Sequence, residues 1–556
     1  MIEQIKYPKI PLAQSLLTIC KAKGLKHIVI SPGSRNAPLT IGFVNDSFFE
    51  CYSIVDERCA AFFALGIAQQ IEEPVAVVCT SGSAVLNYYP AVAEAFYSRI
   101  PLVVISADRP HDKIDIGDGQ TIRQENVFSN HILNSANLTE EASEKNDLSI
   151  QYALHLASVN HGPVHINIPF EEPLYEVVTD LSINPKLVDF CNEKENEFVL
   201  NQEFISRWNT SHKKLILVGE SKPSRIEQSI LNSLASDPNV IVMTEKTSNL
   251  HHETFVSNID TIITPFDEED FKFFQPDILL TFGGMVVSKR IKAFLRKYQP
   301  NEHWHVDNLR AYDTYGCLTK HFETDVASFL KLLISVKNED FSNYKKRMLQ
   351  IVAERKIKSD DYLGNIPFSD FKAFDLVVEN LPKNSQLQIS NSSAVRYLQL
   401  LKLDETIEVF CNRGTSGIDG STSTAIGAAC AINKPTVLIT GDISFFYDSN
   451  ALWNQYIPKN FKIILINNSG GGIFRILPGH KEERTFNQFF ETSHNLTAIK
   501  LAEMFGFNYQ NVKTSLELET QLKTFFTDNT KPNLLEITTP EKLNNKILLE
   551  YFKNLK

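Results

Sequence analysis

Residues 436–472 read TVLITGDISFFYDSNALWNQYIPKNFKIILINNSGGG. Two apolar runs, Thr436–Ile439 and Lys462–Ile466, each break off into turn-forming residues, with a helix-length segment between them. Strands that are apolar throughout and alternate with helical segments are buried on both faces, as in a parallel sheet. The same pattern recurs outward along the chain. His27–Ile30 leads into SPGSR, Val75–Cys79 into TSGSA and Leu102–Ile105 into SADRP, while Lys214–Val218 precedes GE and Ile278–Thr281 precedes FGG. The fold class is α/β, with mainly parallel sheets covered by helices.

The pattern breaks twice. Leu187–Asn201 (LVDFCNEKENEFVLN) is a polar, charged connection, and the charged stretch Val336–Asn365 reads as a surface helix and linker. For 556 residues this gives three domains, 1–185, 186–355 and 356–556. The outer thirds echo each other, since Arg99–Pro110 (RIPLVVISADRP) and Asn433–Ser444 (NKPTVLITGDIS) share a proline, an apolar strand and a following Asp. Any two strand–helix units would share part of that echo.

Fifty-five basic against 66 acidic residues give a net charge of −11, which argues against a broad nucleic-acid surface but leaves room for a local anion site. No run approaches the roughly 18 apolar residues of a membrane span. Met1–Pro11 lacks the apolar core and cleavage site of a secretory signal. The eight cysteines are scattered without a CxxC, and several lie in strand-like runs, so reduced thiols in a cytoplasmic protein are expected.

Chemistry concentrates where the two runs of the opening stretch end. Open α/β sheets bind ligands at the carboxyl ends of their strands, and there the chain places Gly441-Asp442 and Asn467-Asn468-Ser469-Gly470. A hard divalent cation shares six oxygens between protein and phosphate. Asp442 can give a carboxylate, Asn468 an amide oxygen and Gly470 a backbone carbonyl. Gly470, Gly471 and Gly472 let the backbone approach a diphosphate, and a helix beginning at Asp442 would add its dipole. Either half alone would be an ordinary strand-ending turn; the pair in this context is not.

The pair resembles the cofactor signature of the thiamine-diphosphate enzymes. That resemblance implies thiamine diphosphate and Mg²⁺ (with Mn²⁺ as the alternative), held by Asp442, Asn468 and Gly470. It also implies a glutamate from the first domain of one subunit that reaches the aminopyrimidine of cofactor held by the last domain of its neighbour. Glu57, in CYSIVDERCAAFFALGIA (Cys51–Ala68), matches it. By itself an acid there would read as a favourable helix N-terminal charge. At least a homodimer follows, and a homotetramer fits.

Further motifs occur in order: SPGSRNAPL (Ser31–Leu39), DER (Asp56–Arg58), TSGSA (Thr80–Ala84), SADRP (Ser106–Pro110), NRGTSGIDGSTSTAIG (Asn412–Gly427) and NNSGGGIFRILP (Asn467–Pro478). The set resembles the menaquinone-biosynthesis branch, the 2-succinyl-5-enolpyruvyl-6-hydroxy-3-cyclohexene-1-carboxylate synthases. SPGSR and NRGxSGIDG belong to that branch, whereas the GD–NN pair is common to the superfamily. The branch decarboxylates 2-oxoglutarate and adds the succinyl carbanion to isochorismate. Both substrates are dicarboxylates, so forked guanidinium groups suit them.

Carried over by motif, the substrate residues are Arg35, Arg109, Lys289, Arg290, Arg396 and Arg413, with Ser34 and Gln120 as polar partners and Gln120 near the reacting carbon. Glu57, Gln120, Ser34 and Arg35 are the catalytic set. Lys289-Arg290 reads equally as a solvated helix face. Ser392 and Ser444 would help hold diphosphate or simply cap helices. Ile418 would bend the cofactor or pack in the core, and Ile473, Phe474 and Leu477 would wall the pocket or belong to the ordinary core, two readings that are compatible. Gly441, Ile443 and Gly472 complete the cofactor set. VGESKPS and FGGMVVS are not GxGxxG, so flavin or nicotinamide binding by the central domain is not expected. The competing readings are a decarboxylase or carboligase for a smaller 2-oxo acid, and a non-catalytic scaffold. The scaffold should have lost Glu57, Asp442 or Asn468, and all three are present.

Overall fold

A computed structural model describes residues 6–190, 198–334, 342–476 and 483–556. The first and third domains each carry a six-stranded parallel sheet, and the central domain a five-stranded one. The first sheet runs in space Glu50–Ser53, His27–Ile30, Val75–Cys79, Leu102–Asp108, Val164–Pro169, Asn134–Asn137. The third runs Glu408–Phe410, Gln386–Ile389, Thr436–Gly441, Lys462–Asn467, Asn533–Thr538, Asn508–Val512. Numbered along the chain, both follow the order second, first, third, fourth, sixth, fifth, so the outer domains share one topology.

The echo in the sequence pairs the wrong strands. Thr436–Gly441 is the third strand of its sheet and corresponds to Val75–Cys79, whereas Leu102–Asp108 is a fourth strand. The equivalent helices are those before the third strands, Glu57–Ile71 and Ser421–Ala431. They pack directly on each other. A Cβ on Gly66 would stand 2.1 Å from the Thr424 carbonyl oxygen, and one on Gly427 would stand 2.0 Å from that of Phe63. Around this contact Phe62, Phe63 and Val85 of the first domain share one core with Ile426, Leu438 and Phe445 of the third. Phe445, in the helix that begins at Asp442, is accommodated there with no exposed surface.

Helix Tyr344–Asn365 runs through position 355 without a break. Its start (Tyr344, Met348) lies in the central core and Leu363 in the third, so one helix splices the two. The central sheet runs Val240–Thr244, Lys214–Val218, Ile278–Phe282, Glu302–Val306, Leu318–Phe322. Its strand order reverses between the second and third of these, where a nucleotide would bind in such a sheet. That crevice is zipped shut. Gly219 N–H donates to the Phe282 carbonyl (2.9 Å), Gly284 N–H donates to that of Glu220 (2.7 Å), and a Cβ on Gly219 would stand 2.0 Å from Gly284 O.

The carboxyl edge of the central sheet docks on the third domain. Lys246 N–H donates to Gln399 Oε1 (2.9 Å), and Asn249 exchanges two hydrogen bonds with the backbone of Val409 (2.8 and 2.9 Å). No described helix is long and apolar enough to cross a membrane. Seven cysteines are free thiols; Cys191 lies outside the described residues.

Candidate active site

In both outer sheets the strand order reverses between the first and third strands, and the candidate residues emerge around that point, from the loops that follow the first four strands of each sheet. In the third domain Asp442 is buried at the start of the short helix Asp442–Tyr447. Its Oδ1 accepts from Ile443 N–H (2.7 Å) and its Oδ2 from Gly470 N–H (3.0 Å), which draws the two motifs together. Asn468 Nδ2 donates to Asp370 Oδ2 (2.8 Å), which fixes the amide and leaves Asn468 Oδ1 buried with no hydrogen-bond partner. Burial raises the Asp370 pKa to about 6, with the charge of Asp442 adding to the effect. His494 Nε2 lies 3.4 Å from Asp442 Oδ2, and this interaction holds the imidazole pKa above its usual value.

A carboxylate, a partnerless amide oxygen and the Gly470 carbonyl are an all-oxygen set, as Mg²⁺ requires. A buried polar atom without a partner is destabilising unless a ligand meets it. The fit to a metal-bound diphosphate is therefore good. A side chain at Gly470, where φ is +153°, would crowd Glu491 O at 2.8 Å. Among the described residues no cluster of three or more His, Cys, Asp or Glu side chains offers another metal set.

Neither serine caps a helix through its side chain. Ser392 precedes the helix Ser393–Leu398 at φ +67° with no side-chain capping bond, and Ser444 Oγ instead donates to the Ile418 carbonyl (2.6 Å). Ile418 is 36% exposed, so core packing is not its role. Ile473 and Phe474 are half-buried on the turn Gly472–Ile476, and Leu477 lies outside the described residues.

Arg413 is buried, its Nη1 donates to Asn391 Oδ1 (2.6 Å) and its Nε has no partner. Arg396 Nη1 donates to Ser392 O (2.5 Å), and burial together with the charge of Arg413 lowers its pKa. Arg290 of the central domain reaches this edge. It stacks on Phe552 (4.7 Å), and both it and Arg396 act electrostatically on the half-buried Asp260. Lys289 opens the helix Lys289–Lys297 and is exposed, as a solvated residue would be.

The first domain gathers the remaining residues. Arg35 is buried, donating from Nη1 to Phe170 O (2.9 Å) and from Nη2 to Glu172 Oε1 (3.2 Å), and burial and neighbouring Arg109 lower its pKa. Arg109 Nη2 donates to Gly119 O (3.1 Å). The Nε atoms of both are buried without partners. Gln120 stands at φ +59° over Gly82, where a Cβ would lie 3.0 Å from its Cγ; Ser34 and Gln120 are exposed. Glu57 is the first residue of its helix, capped by Asp56, and Asn87 Nδ2 stands 3.4 Å from Glu57 Oε2.

Among the described residues no hydrogen bond or ion pair joins Glu57, Arg35, Arg109 or Gln120 to Asp442, Asn468 or Arg413. The candidates thus fall into two groups, one on each outer domain. The neighbours of Glu57 nevertheless grip the segment after Asp442. Asp56 Oδ2 accepts from Asn450 Nδ2 (2.8 Å), and Arg58 donates to Tyr447 O (2.9 Å) while stacking on its ring at 4.6 Å. Sequence reasoning missed Asp370, His494 and Asn391. Asn391 lies one residue before Ser392, so a strand-end asparagine was available as a signal; the other two sit in segments with no local cue.

Three family profiles match in succession. Residues 10–135 match "Thiamine pyrophosphate enzyme, N-terminal TPP binding domain", 186–389 "Middle domain of thiamine pyrophosphate" and 390–537 "Thiamine pyrophosphate enzyme, C-terminal TPP binding domain". Among curated proteins the chain is 65% identical over 551 residues to a 2-succinyl-5-enolpyruvyl-6-hydroxy-3-cyclohexene-1-carboxylate synthase of Flavobacterium psychrophilum, covering 99% of this chain and 100% of that protein. It is 61% identical to the protein of that name from Flavobacterium johnsoniae and 52% identical to that from Christiangramia forsetii, with 99% of this chain and 100% of each relative covered.

Proposed function

The chain belongs to the thiamine pyrophosphate enzymes and, within them, to the 2-succinyl-5-enolpyruvyl-6-hydroxy-3-cyclohexene-1-carboxylate synthases, and from that premise we propose how its residues divide the work. The reaction is decarboxylation of 2-oxoglutarate and addition of the succinyl fragment to isochorismate, in menaquinone biosynthesis. One observation carries the cofactor assignment: the buried Asn468 Oδ1 left without a partner beside Asp442 and Gly470.

Thiamine diphosphate, when bound, supplies the nucleophilic carbon and the electron sink for loss of CO₂. Asp442, Asn468 Oδ1 and the Gly470 carbonyl would hold Mg²⁺, or Mn²⁺ in its place, against the diphosphate, with Gly441, Ile443, Ser444, Gly472 and Ser392 lining its cradle. Glu57 holds a proton at its carboxyl group toward the aminopyrimidine nitrogen, the role of a positioned general acid. Arg35, Arg109 and Arg413 bind substrate carboxylates through forks whose buried Nε atoms await an acceptor. Arg396, Arg290 and Lys289 add positive charge at the third-domain edge, and Ser34 and Gln120 orient the substrate near the reacting carbon. Ile418, Ile473 and Phe474 exclude water, which favours carbon–carbon bond formation over protonation.

The two separate half-sites support a homodimer at minimum, in which Glu57 of one subunit faces Asp442 of the other. A cytoplasmic location is the reading that accords with free cysteines. The test is direct. Purified protein with thiamine diphosphate, Mg²⁺, 2-oxoglutarate and isochorismate should release CO₂ and yield the succinylated product by mass spectrometry. Absence of that product, with the protein folded and cofactor bound, rejects the reading.

A further inference from the structure

Glu94 lies in the helix Tyr89–Ser98 of the first domain and is 1% exposed, a position where an acid needs partners. Most of its partners belong to the third domain. Its Oε1 accepts from Gly414 N–H (2.7 Å), and its Oε2 from both the N–H and the hydroxyl of Thr415 (2.7 Å each). Ser98 Oγ–H on its own helix completes the shell at 2.7 Å from Oε1. Charge-assisted bonds of this length are the strong ones. The approach is close enough that a Cβ on Gly414 would stand 2.7 Å from the Glu94 carbonyl oxygen.

Gly414 and Thr415 directly follow Arg413. The other side of the same loop is held by Asn391, whose Nδ2 donates to Asn412 O (2.7 Å) and Gly417 O (2.8 Å) while its Oδ1 takes the Arg413 Nη1. The Arg413 loop is therefore clamped twice, once from its own domain and once from the first. Glu220 of the central domain also faces this point, in the field of both Glu94 and Arg413.

We propose that Glu94 is a positioning residue for the substrate. By fixing the N–H groups of Gly414 and Thr415 it aims the Arg413 guanidinium, so the first domain governs dicarboxylate recognition by the third within one chain. The alternative is a plain interdomain staple, which would affect stability and leave substrate affinity alone. The inference rests on Arg413 being a substrate anchor, as proposed above.

The test is Glu94→Gln in the full-length holoenzyme, an isostere that turns one acceptor oxygen into a donor facing an N–H. The Michaelis constant for 2-oxoglutarate or isochorismate should rise about 10- to 100-fold, the scale of a small misplacement of a binding group. The turnover number and calorimetric affinity for thiamine diphosphate should stay within about threefold, as expected when only ground-state binding is lost. Amide hydrogen exchange over residues 413–418 should accelerate while residues 436–447 keep their protection. Should Glu94→Gln fail to fold, Thr415→Val removes one of the four bonds and should still raise a substrate constant severalfold. Parental Michaelis constants in a folded variant overturn the proposal. Turnover by the unsubstituted protein is measured alongside. Its absence would reject the reaction itself, whereas an active parent with unmoved variants removes only the role of Glu94.

Discussion

Glu57 and Asp442 each open a helix at the carboxyl end of a sheet, yet they meet different demands. Asp442 is buried and bonded to Gly470, which suits the fixed metal ligand proposed above. Glu57 is half-buried with one long contact, which leaves its carboxyl available to a cofactor ring. Glu57→Gln should therefore keep thiamine diphosphate binding by calorimetry and lose turnover by about 10²-fold or more, the usual contribution of a placed acid or base. Undiminished turnover would remove the assigned role. Asp442→Ala should instead abolish Mg²⁺-dependent cofactor affinity in the same titration, because in the proposed set a single carboxylate anchors the metal. A binding isotherm that stays sensitive to Mg²⁺ in that variant would move the metal elsewhere.

At the scale of elements, the contact between Glu57–Ile71 and Ser421–Ala431 joins the half-sites to one scaffold. It depends on Gly66 and Gly427, whose missing side chains let backbone meet backbone. Gly427→Ala should destabilise the protein by about 1–3 kcal/mol, the range for overpacking a tight interface; an unchanged thermal midpoint would contradict the 2.0 Å approach. The second helix is held from outside by Asp448, which accepts from Ser423 N–H (2.8 Å) and Ser423 Oγ (3.0 Å). Burial raises the Asp448 pKa from 3.8 to about 6. Between those values the folded state binds the proton that the unfolded chain has lost, so stability falls as pH rises from about 4 through about 6. The window is of order 3 kcal/mol at most. Asp448→Asn should flatten that part of the stability–pH curve in chemical denaturation, and a parental slope in the variant would exclude Asp448 as its source.

For the whole molecule, the proposed sharing of each site between two subunits makes a combinatorial prediction. Glu57→Gln and Asp442→Ala subunits are each defective alone. In a dimer containing one of each, one site carries both defects and the other none. Refolding an equal mixture should recover about a quarter of parental activity, since half the dimers are mixed and each has one intact site. Recovery no greater than the sum of the separate variants would mean that each chain builds its own site. The strands that line these sites were readable in the sequence because burial on both faces leaves nothing polar in Val75–Val78 or Ile463–Ile466. Edge strands such as Asn134–Asn137 (NSAN) and Asn508–Val512 (NYQNV) face water on one side and carry no such mark. Turn residues at strand ends disclosed Asp442 and Asn468. Asp370 and Glu94 escaped notice because each looks like an ordinary helical acid until folding carries it to another segment.

The closed crevice of the central domain has a consequence for redesign. Gly219, Gly283 and Gly284 leave no gap between the two strand-end loops into which an adenosine phosphate could slide. Retooling this unit to harbour a redox coenzyme would demand longer loops there, and point changes to a glycine-rich fingerprint would not suffice. Relatives with elongated segments at the positions of Gly219 and Gly283 are accordingly the scaffolds from which to begin.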